Sequence, residues 1–77
     1  MSQADPVMEE LIQTDETFRR LYEEHQKYKQ RLVDIRTKSL PSEADEIEIK
    51  RIKIHKLSLK DRMEVMLRER SRAHATA

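Results

Sequence analysis

The sequence predicts an all-α fold: an antiparallel, coiled-coil-like two-helix hairpin preceded by a short N-terminal helix. Its 77 residues include no glycine, no cysteine and only two prolines, and 40% of them are charged, which is typical of long helices and not of a sheet. Apolar residues recur at helical spacings, and both prolines lie beside sequences that cap helices. At this length we expect one domain, residues 1–77.

Helix one is predicted at about residues 6–13. Asp5 supplies an N-cap acceptor, Pro6 suits the first helical position, and acidic residues follow near the positive end of the helix. The segment 13–16 is typical of the cap of a new helix, so helix one should end there. Its apolar residues share one face: Val7, Met8, Leu11 and Ile12.

Helix two is predicted at about residues 15–38 and has the strongest pattern in the chain. Its apolar positions alternate at spacings of three and four, as in the seam of a coiled coil, and its opposite side is polar. Pro41 should end the helix, because proline disfavours helical conformation in the residue before it. The seam consists of Phe18, Leu21, His25, Tyr28, Leu32 and Ile35.

Helix three is predicted at about residues 43–71, after a segment from Ser42 to Asp45 that resembles a capping box. Residues 72–77 should form a frayed tail, since they continue no apolar pattern. A projection at 100° per residue places apolar side chains on two opposite faces. One face carries Ile49, Ile52, Leu59, Met63, Met66 and Leu67, and the other carries Ile47, Ile54, Leu57 and Val65.

The two seams can be aligned as an antiparallel pair in which facing residue numbers add to 80 or 81. His25 then faces Lys56 in a polar layer that would fix the register, as polar seam residues do in coiled coils. The remaining layers are apolar, and they form the predicted hairpin core: Phe18 with Met63, Leu21 with Leu59, Tyr28 with Ile52, and Leu32 with Ile49.

The second apolar face of helix three needs a cover, because one helix cannot bury both faces against a single neighbour. Helix one is short and would reach only the end near Val65. A chain this small builds a modest core. Without cysteine for a disulfide, the remaining sources of additional stability are a bound metal or self-association. We therefore expect a homo-oligomer, with a two-fold dimer favoured, or an unidentified protein partner, at the candidate interface Ile47, Ile54, Leu57 and Val65.

Charge is divided unevenly along the chain. Residues 1–49 carry seven basic and twelve acidic side chains, whereas residues 50–77 carry nine basic and three acidic ones. Folding back should bring Arg62, Arg68 and Arg70 near acids of helix two and largely neutralise this asymmetry. Nucleic-acid binding by the basic residues of helix three remains the alternative function, although no aromatic residues are interleaved there for stacking.

No catalytic, cofactor or metal site is predicted. Nucleophiles are limited to serine, threonine and tyrosine, and there is no glycine-rich phosphate loop, so we expect no enzyme. The residues His25, His55 and His74 lack the spacings that place metal ligands on one helical face. The chain shows no apolar membrane span and no signal-peptide pattern, so a cytoplasmic location without membrane attachment is the expectation.

The two helices together resemble the YdcH-like family of short bacterial proteins, a domain of unknown function. The resemblance covers about 50 of the 77 residues, and its most specific parts are His25 and the string Leu57-x-Leu59-Lys60-Asp61. Tyr28-Lys29 departs from the leucine and aspartate common in that family. The resemblance implies a helical hairpin in a bacterial cytoplasm and no established activity. The matching runs are Phe18-x-x-Leu21-Tyr22-x-x-His25-x-x-Tyr28-x-x-x-Leu32 and Ile49-x-Arg51-Ile52-Lys53-x-x-Lys56-Leu57-x-Leu59-Lys60-Asp61-x-Met63.

Overall fold

Three helices follow one another in the computed structural model, which describes residues 5–76 and the side chains of residues 5–73. They are α1 (Pro6–Thr14), α2 (Glu16–Arg36) and α3 (Glu43–Thr76). Helix α2 packs along α3, and α1 contacts both. No strand occurs among the described residues. The predicted all-α fold, a short helix followed by two longer ones, is therefore confirmed.

A single residue separates α1 from α2. Asp15 lies in extended conformation, and its backbone N–H donates to the carbonyl of Leu11 at 2.9 Å, which ends α1. Its side-chain Oδ1 accepts from the backbone N–H of Phe18 at 3.0 Å, which caps α2. Arg19 contributes as well, because its Nε donates to the carbonyl of Ile12 at 2.9 Å. These contacts hold α1 against the start of α2. Helix α1 ends at Thr14 and α2 begins at Glu16, each one residue later than predicted.

The connection between α2 and α3 ends in a reciprocal capping box. Backbone N–H of Asp45 donates to Ser42 Oγ at 3.1 Å, and backbone N–H of Ser42 donates to Asp45 Oδ2 at 2.9 Å. Lys38 Nζ also lies 3.0 Å from Asp45 Oδ1 and ties the end of α2 to the box. The hydrogen bond from the Ser42 backbone, followed by that from Lys38, lowers the pKa of the buried Asp45 carboxyl.

Two predicted helix ends differ from the structure. Helix α2 ends at Arg36, where Thr37 Oγ1 donates to the carbonyl of Asp34, two residues before the predicted end. Helix α3 continues to Thr76, so the frayed tail predicted for residues 72–77 is wrong for residues 72–76. That segment contains no glycine or proline, and alanine favours helix, so its composition allows the helix to continue. Ala77 lies outside the described residues.

The core forms two clusters along the hairpin. The larger cluster lies where α1 packs on the hairpin, and α1 adds the buried Leu11 together with the partly buried Val7, Met8 and Ile12. Tyr28 packs against both clusters, and Ile49 is partly buried on the second. Six of the eight predicted hairpin core residues are buried: Phe18, Leu21, Leu32, Ile52, Leu59 and Met63. Ile35, from the predicted seam, is buried as well.

Candidate interaction surfaces

The outer face of α3 carries large apolar side chains that the described chain leaves exposed. Ile54 is 69% exposed and Leu57 is 61% exposed, whereas Ile52, on the opposite face, is 3% exposed. Helix α1 packs at the other side of α3, against Leu59 and Met63, and does not cover these residues. All four predicted interface residues are therefore at the surface: Ile47, Ile54, Leu57 and Val65.

These apolar residues belong to a longer pattern that we call the outer stripe. Starting at Glu43, every position of the stripe follows the previous one by four and then three residues, which is the spacing of one helical seam. Every member is exposed. The outer stripe consists of Glu43, Ile47, Lys50, Ile54, Leu57, Asp61, Glu64 and Arg68, with Val65 beside Glu64. Apolar residues lie toward its middle and charged residues alternate with them.

One edge of the hairpin is closed by direct contacts between α2 and α3. The rings of Tyr28 and His55 stack with their centroids 5.4 Å apart and their planes within 4°. One turn further along α2, Arg31 forms two hydrogen bonds with Glu48, at 2.7 and 2.9 Å. That pair raises the pKa of Arg31 and lowers the pKa of Glu48, chiefly through the hydrogen bonds themselves. The predicted pairing of the two seams placed Tyr28 opposite Ile52 and did not include the contact with His55.

The opposite edge opens into a cavity of about 610 Å³ between the helices, which we call the lysine groove. Its walls come from the side of α2 that carries Tyr22 and Lys29 and from the side of α3 between Lys53 and Leu67. Met8 of α1 closes one end. Lysine residues line much of its rim: Lys29, Lys53, Lys56 and Lys60.

His25 and Lys56, predicted as a polar layer, both line this groove and are both half-buried. Burial lowers the pKa of the His25 imidazole, and the positive charges of Lys56, Lys29 and Lys60 lower it further. The two residues are therefore near each other, as the alignment predicted. They do not form a layer enclosed within the hairpin, because the groove opens beside them.

The ion pair that joins the acidic half of the chain to the basic half has a different partner from those predicted. Arg70 pairs with Glu10 of α1 and not with an acid of helix two. Arg31 pairs with Glu48, and within α2 Arg20 pairs with Glu16 at 2.9 Å. Helix α1 therefore takes part in neutralising the basic half of the chain, in addition to the acids of helix two that the sequence predicted.

Metal-ligating side chains are dispersed over the described residues. Their histidine, aspartate and glutamate side chains form no group of three or more that could hold a metal ion. The side chain of His74 lies outside the described residues. In the part of the chain that the structure describes, no helix combines the length and apolar character needed to cross a bilayer.

Comparison with protein families identifies the family of the hairpin. The family described as "Protein of unknown function (DUF465)" matches residues 18–67, which is more than half of the chain. The chain belongs to this family. The YdcH-like resemblance is thereby confirmed, since the YdcH-like family is a DUF465 family. Searches of curated proteins and of solved structures found no match.

The DUF465 match coincides with the hairpin. It begins at Phe18, the first buried residue of α2, and ends at Leu67, where α3 passes α1. Helix α1 lies outside the matched residues. Most of the outer stripe and of the lysine groove lies inside them, with Arg68 and Met8 as the exceptions. Both surfaces therefore belong mainly to the family's own structural unit.

Proposed function

We propose that this DUF465 protein is a non-enzymatic interaction module that self-associates through the outer stripe of α3. The exposure of Ile54 and Leu57 is the observation that carries the proposal, because large apolar side chains lined up on one helix face mark interaction sites. Ile47 and Val65 extend the same face, at 51% and 47% exposure. A second copy of the chain would bury these side chains and stabilise a small domain by mass action.

The charges of the outer stripe support a second copy as the partner. In an antiparallel pair whose facing residue numbers add to 111, Ile54 meets Leu57 of the partner subunit at the centre. Lys50 then meets Asp61 of the partner subunit, and Glu43 meets Arg68 of the partner subunit. Two-fold symmetry repeats each contact, so the stripe is complementary to itself. Ile47 meets Glu64 of the partner subunit, with Val65 beside it.

Other arrangements of the same two helices place like charges together. A parallel pair would set Lys50 against Lys50 and Asp61 against Asp61 across the axis. An antiparallel pair shifted by one heptad would set Asp61 against Glu43, or Arg68 against Lys50. Like charges in facing positions disfavour these alternatives, which is how charged residues select one register. The antiparallel pair centred between Ile54 and Leu57 is therefore the arrangement we propose.

Sedimentation of the full chain over a micromolar concentration series tests self-association. We expect the average mass to rise from one chain toward two, and Ile54→Glu to hold the mass at one chain without loss of helical content. Val33→Glu is a matched control, because Val33 is 50% exposed but lies on α2. That variant should associate like the unmodified chain. A mass of one chain at every concentration would refute the proposed function.

The alternative of nucleic-acid binding has weaker support from the geometry. The basic residues of α3 do not form one strip, because Lys53, Lys56 and Lys60 line the groove while Lys50 lies in the outer stripe. Arg70 is paired with Glu10. A protein that tracks phosphates would lose affinity steeply as salt rises. Binding to generic RNA or DNA with that salt dependence, in a chain that stays monomeric, would favour the alternative.

A further inference from the structure

We propose that the lysine groove is a binding site for a free long-chain carboxylate. The carboxylate group would lie between Lys29, Lys53 and Lys56, and the hydrocarbon chain would extend toward α1. The groove borders the outer stripe and shares Leu57 and Glu64 with it, but the residues assigned to the carboxylate lie outside the stripe. Charged and apolar side chains are concentrated at different ends of the groove.

The end of the groove nearest α1 is apolar. Met63 is buried and forms part of the wall, and Tyr22, Leu67 and Met8 are half-buried around it. These side chains already pack on the first core cluster, so a hydrocarbon chain laid against them would continue an existing apolar surface. Burial of such a chain is favourable by roughly 0.8 kcal/mol per methylene group. This end suits an apolar tail.

The other end of the groove is cationic. Lys29 of α2 and Lys53 and Lys56 of α3 converge there, with His25 between the helices and Lys60 further along the rim. Glu64 is the one acid among the lining residues, and its helical position places it toward the apolar end, about 16 Å from Lys53 along α3. Burial lowers the pKa of His25, and the nearby charges of Lys56, Lys29 and Lys60 lower it further. An anion here would offset repulsion among these groups.

The dimensions also suit an amphiphile of moderate length. Lys53 and Leu67 are separated along α3 by about 21 Å at the rise of an α-helix. The cavity of about 610 Å³ lies within the range of roughly 300 to 1,000 Å³ found for small-molecule sites. A nucleic acid would use the cationic end alone and leave the apolar end uncovered. One charged end and one apolar end therefore favour a ligand with the same division.

Calorimetric titration with dodecanoate, at concentrations below micelle formation, tests the site. Dodecanol and dodecyltrimethylammonium are matched probes with the same chain and a neutral or positive head. We expect dodecanoate to bind about tenfold more tightly than dodecanol, because a charge-assisted contact adds roughly that factor. Equal affinity for the three probes, or no binding of dodecanoate, would overturn the proposal.

Variants locate the carboxylate. The double change Lys53→Gln and Lys56→Gln should reduce the affinity for dodecanoate to that for dodecanol, whereas Arg62→Gln, an exposed position outside the groove, should leave it unchanged. Ile54→Glu should also bind dodecanoate normally, which separates this site from self-association. If the double variant binds dodecanoate as tightly as the unmodified chain, the assigned position of the carboxylate is wrong.

A fatty acid spin-labelled at the chain end tests the orientation. Its broadening of NMR signals should be strongest at Leu67 and Met8 and weak at Lys29. The reverse pattern would contradict the proposed direction of the chain. A final experiment measures binding to vesicles of phosphatidylglycerol. Binding to vesicles without binding to free dodecanoate would show a membrane-surface site and would refute a site for a free carboxylate.

Discussion

The two apolar faces of α3 differ in the residues that alternate with the apolar ones. On the inner face, Leu59 and Met63 are 6% exposed and belong to the same buried cluster as Phe18 and Leu21 of α2. On the outer stripe, Ile54 is flanked at seam positions by Lys50 and Asp61, which remain in solvent. The inner face therefore builds the fold. The outer stripe has fewer apolar layers and suits a reversible contact whose partner is chosen by charge.

The largest expected effect is a charge placed on the inner face. Leu59→Lys or Leu21→Lys should destabilise the protein by at least about 4 kcal/mol, because an unpaired charge would be buried. That is most of the stability of about 5 kcal/mol expected for a domain this small. Because only about 1 kcal/mol would remain, thermal unfolding followed by circular dichroism should show a transition shifted down toward 25 °C.

The matched control for this prediction is Val65→Lys on the outer face, where Val65 is 47% exposed. It should change the free energy of unfolding of the monomer by less than about 0.5 kcal/mol. Equal tolerance of inner and outer lysine substitutions would mean that the two faces do not differ as described.

A smaller effect is expected at the cap that starts α3. Ser42→Ala should lower the free energy of unfolding by about 1 kcal/mol, since the hydroxyl accepts the backbone N–H of Asp45 at 3.1 Å. Ser58→Ala, which changes an exposed serine within α3, is the control and should have little effect. Urea unfolding measures both, and equal midpoints would show that the capping box does not stabilise the helix.

The groove side of the inner face predicts a pH dependence. The pKa of His25 is lowered below 6.5 in the folded protein, so the unfolded chain binds the proton first as pH falls. The stability associated with His25 should be fully present above pH 6.5 and should be lost as the pH falls from 6.5 toward the lowered value. Unfolding midpoints between pH 5 and 7.5 measure this change.

Replacing His25 and Lys56 together with leucine should remove that contribution and leave the hairpin folded and at least as stable, because two partly buried polar groups become apolar. An unchanged pH profile in the double variant would assign the effect to groups other than His25. The Asp45 carboxyl is not one of them, because its lowered pKa places the loss of its stabilising contacts in more acidic solution.

The smallest effect concerns salt. Exposed pairs such as Arg20 with Glu16 contribute about 0.3 to 0.5 kcal/mol, so high salt should lower the stability of the hairpin only slightly. Association through the outer stripe should depend on salt more strongly, since its polar layers are charge pairs. Unfolding at low and high salt measures the effect on hairpin stability, and sedimentation at the same salt concentrations measures the effect on self-association. A hairpin that unfolds in high salt would show that its apolar seam is too weak to hold it.

The sequence predicted the hairpin well because the α2 seam is regular and its caps are specific. The alternation from Phe18 to Ile35 fixes which layers meet, and Asp15 and Ser42 fix where helices begin. The sequence did not predict that one edge of the hairpin is closed by side-chain contacts and that the other opens into a groove. The stacking of Tyr28 on His55 and the opening beside His25 depend on a small rotation of each helix about its own axis. A sum of facing residue numbers carries no information about that rotation.

Charge reversal in the outer stripe tests the central claim most directly. Lys50→Asp and Asp61→Lys should each weaken self-association by about tenfold, because each creates two like-charge contacts per dimer. The double variant should associate like the unmodified chain, and so should an equimolar mixture of the two single variants. Arg62→Asp, outside the stripe, should have no such effect.

Sedimentation at matched concentrations compares the two single variants, the double variant, the mixture and the Arg62→Asp control with the unmodified chain. Loss of association in the single variants with recovery in the double variant is the result that the antiparallel, two-fold account predicts. Single variants that associate as strongly as the unmodified chain would contradict it, since a parallel pair would gain no new like-charge contact from either change.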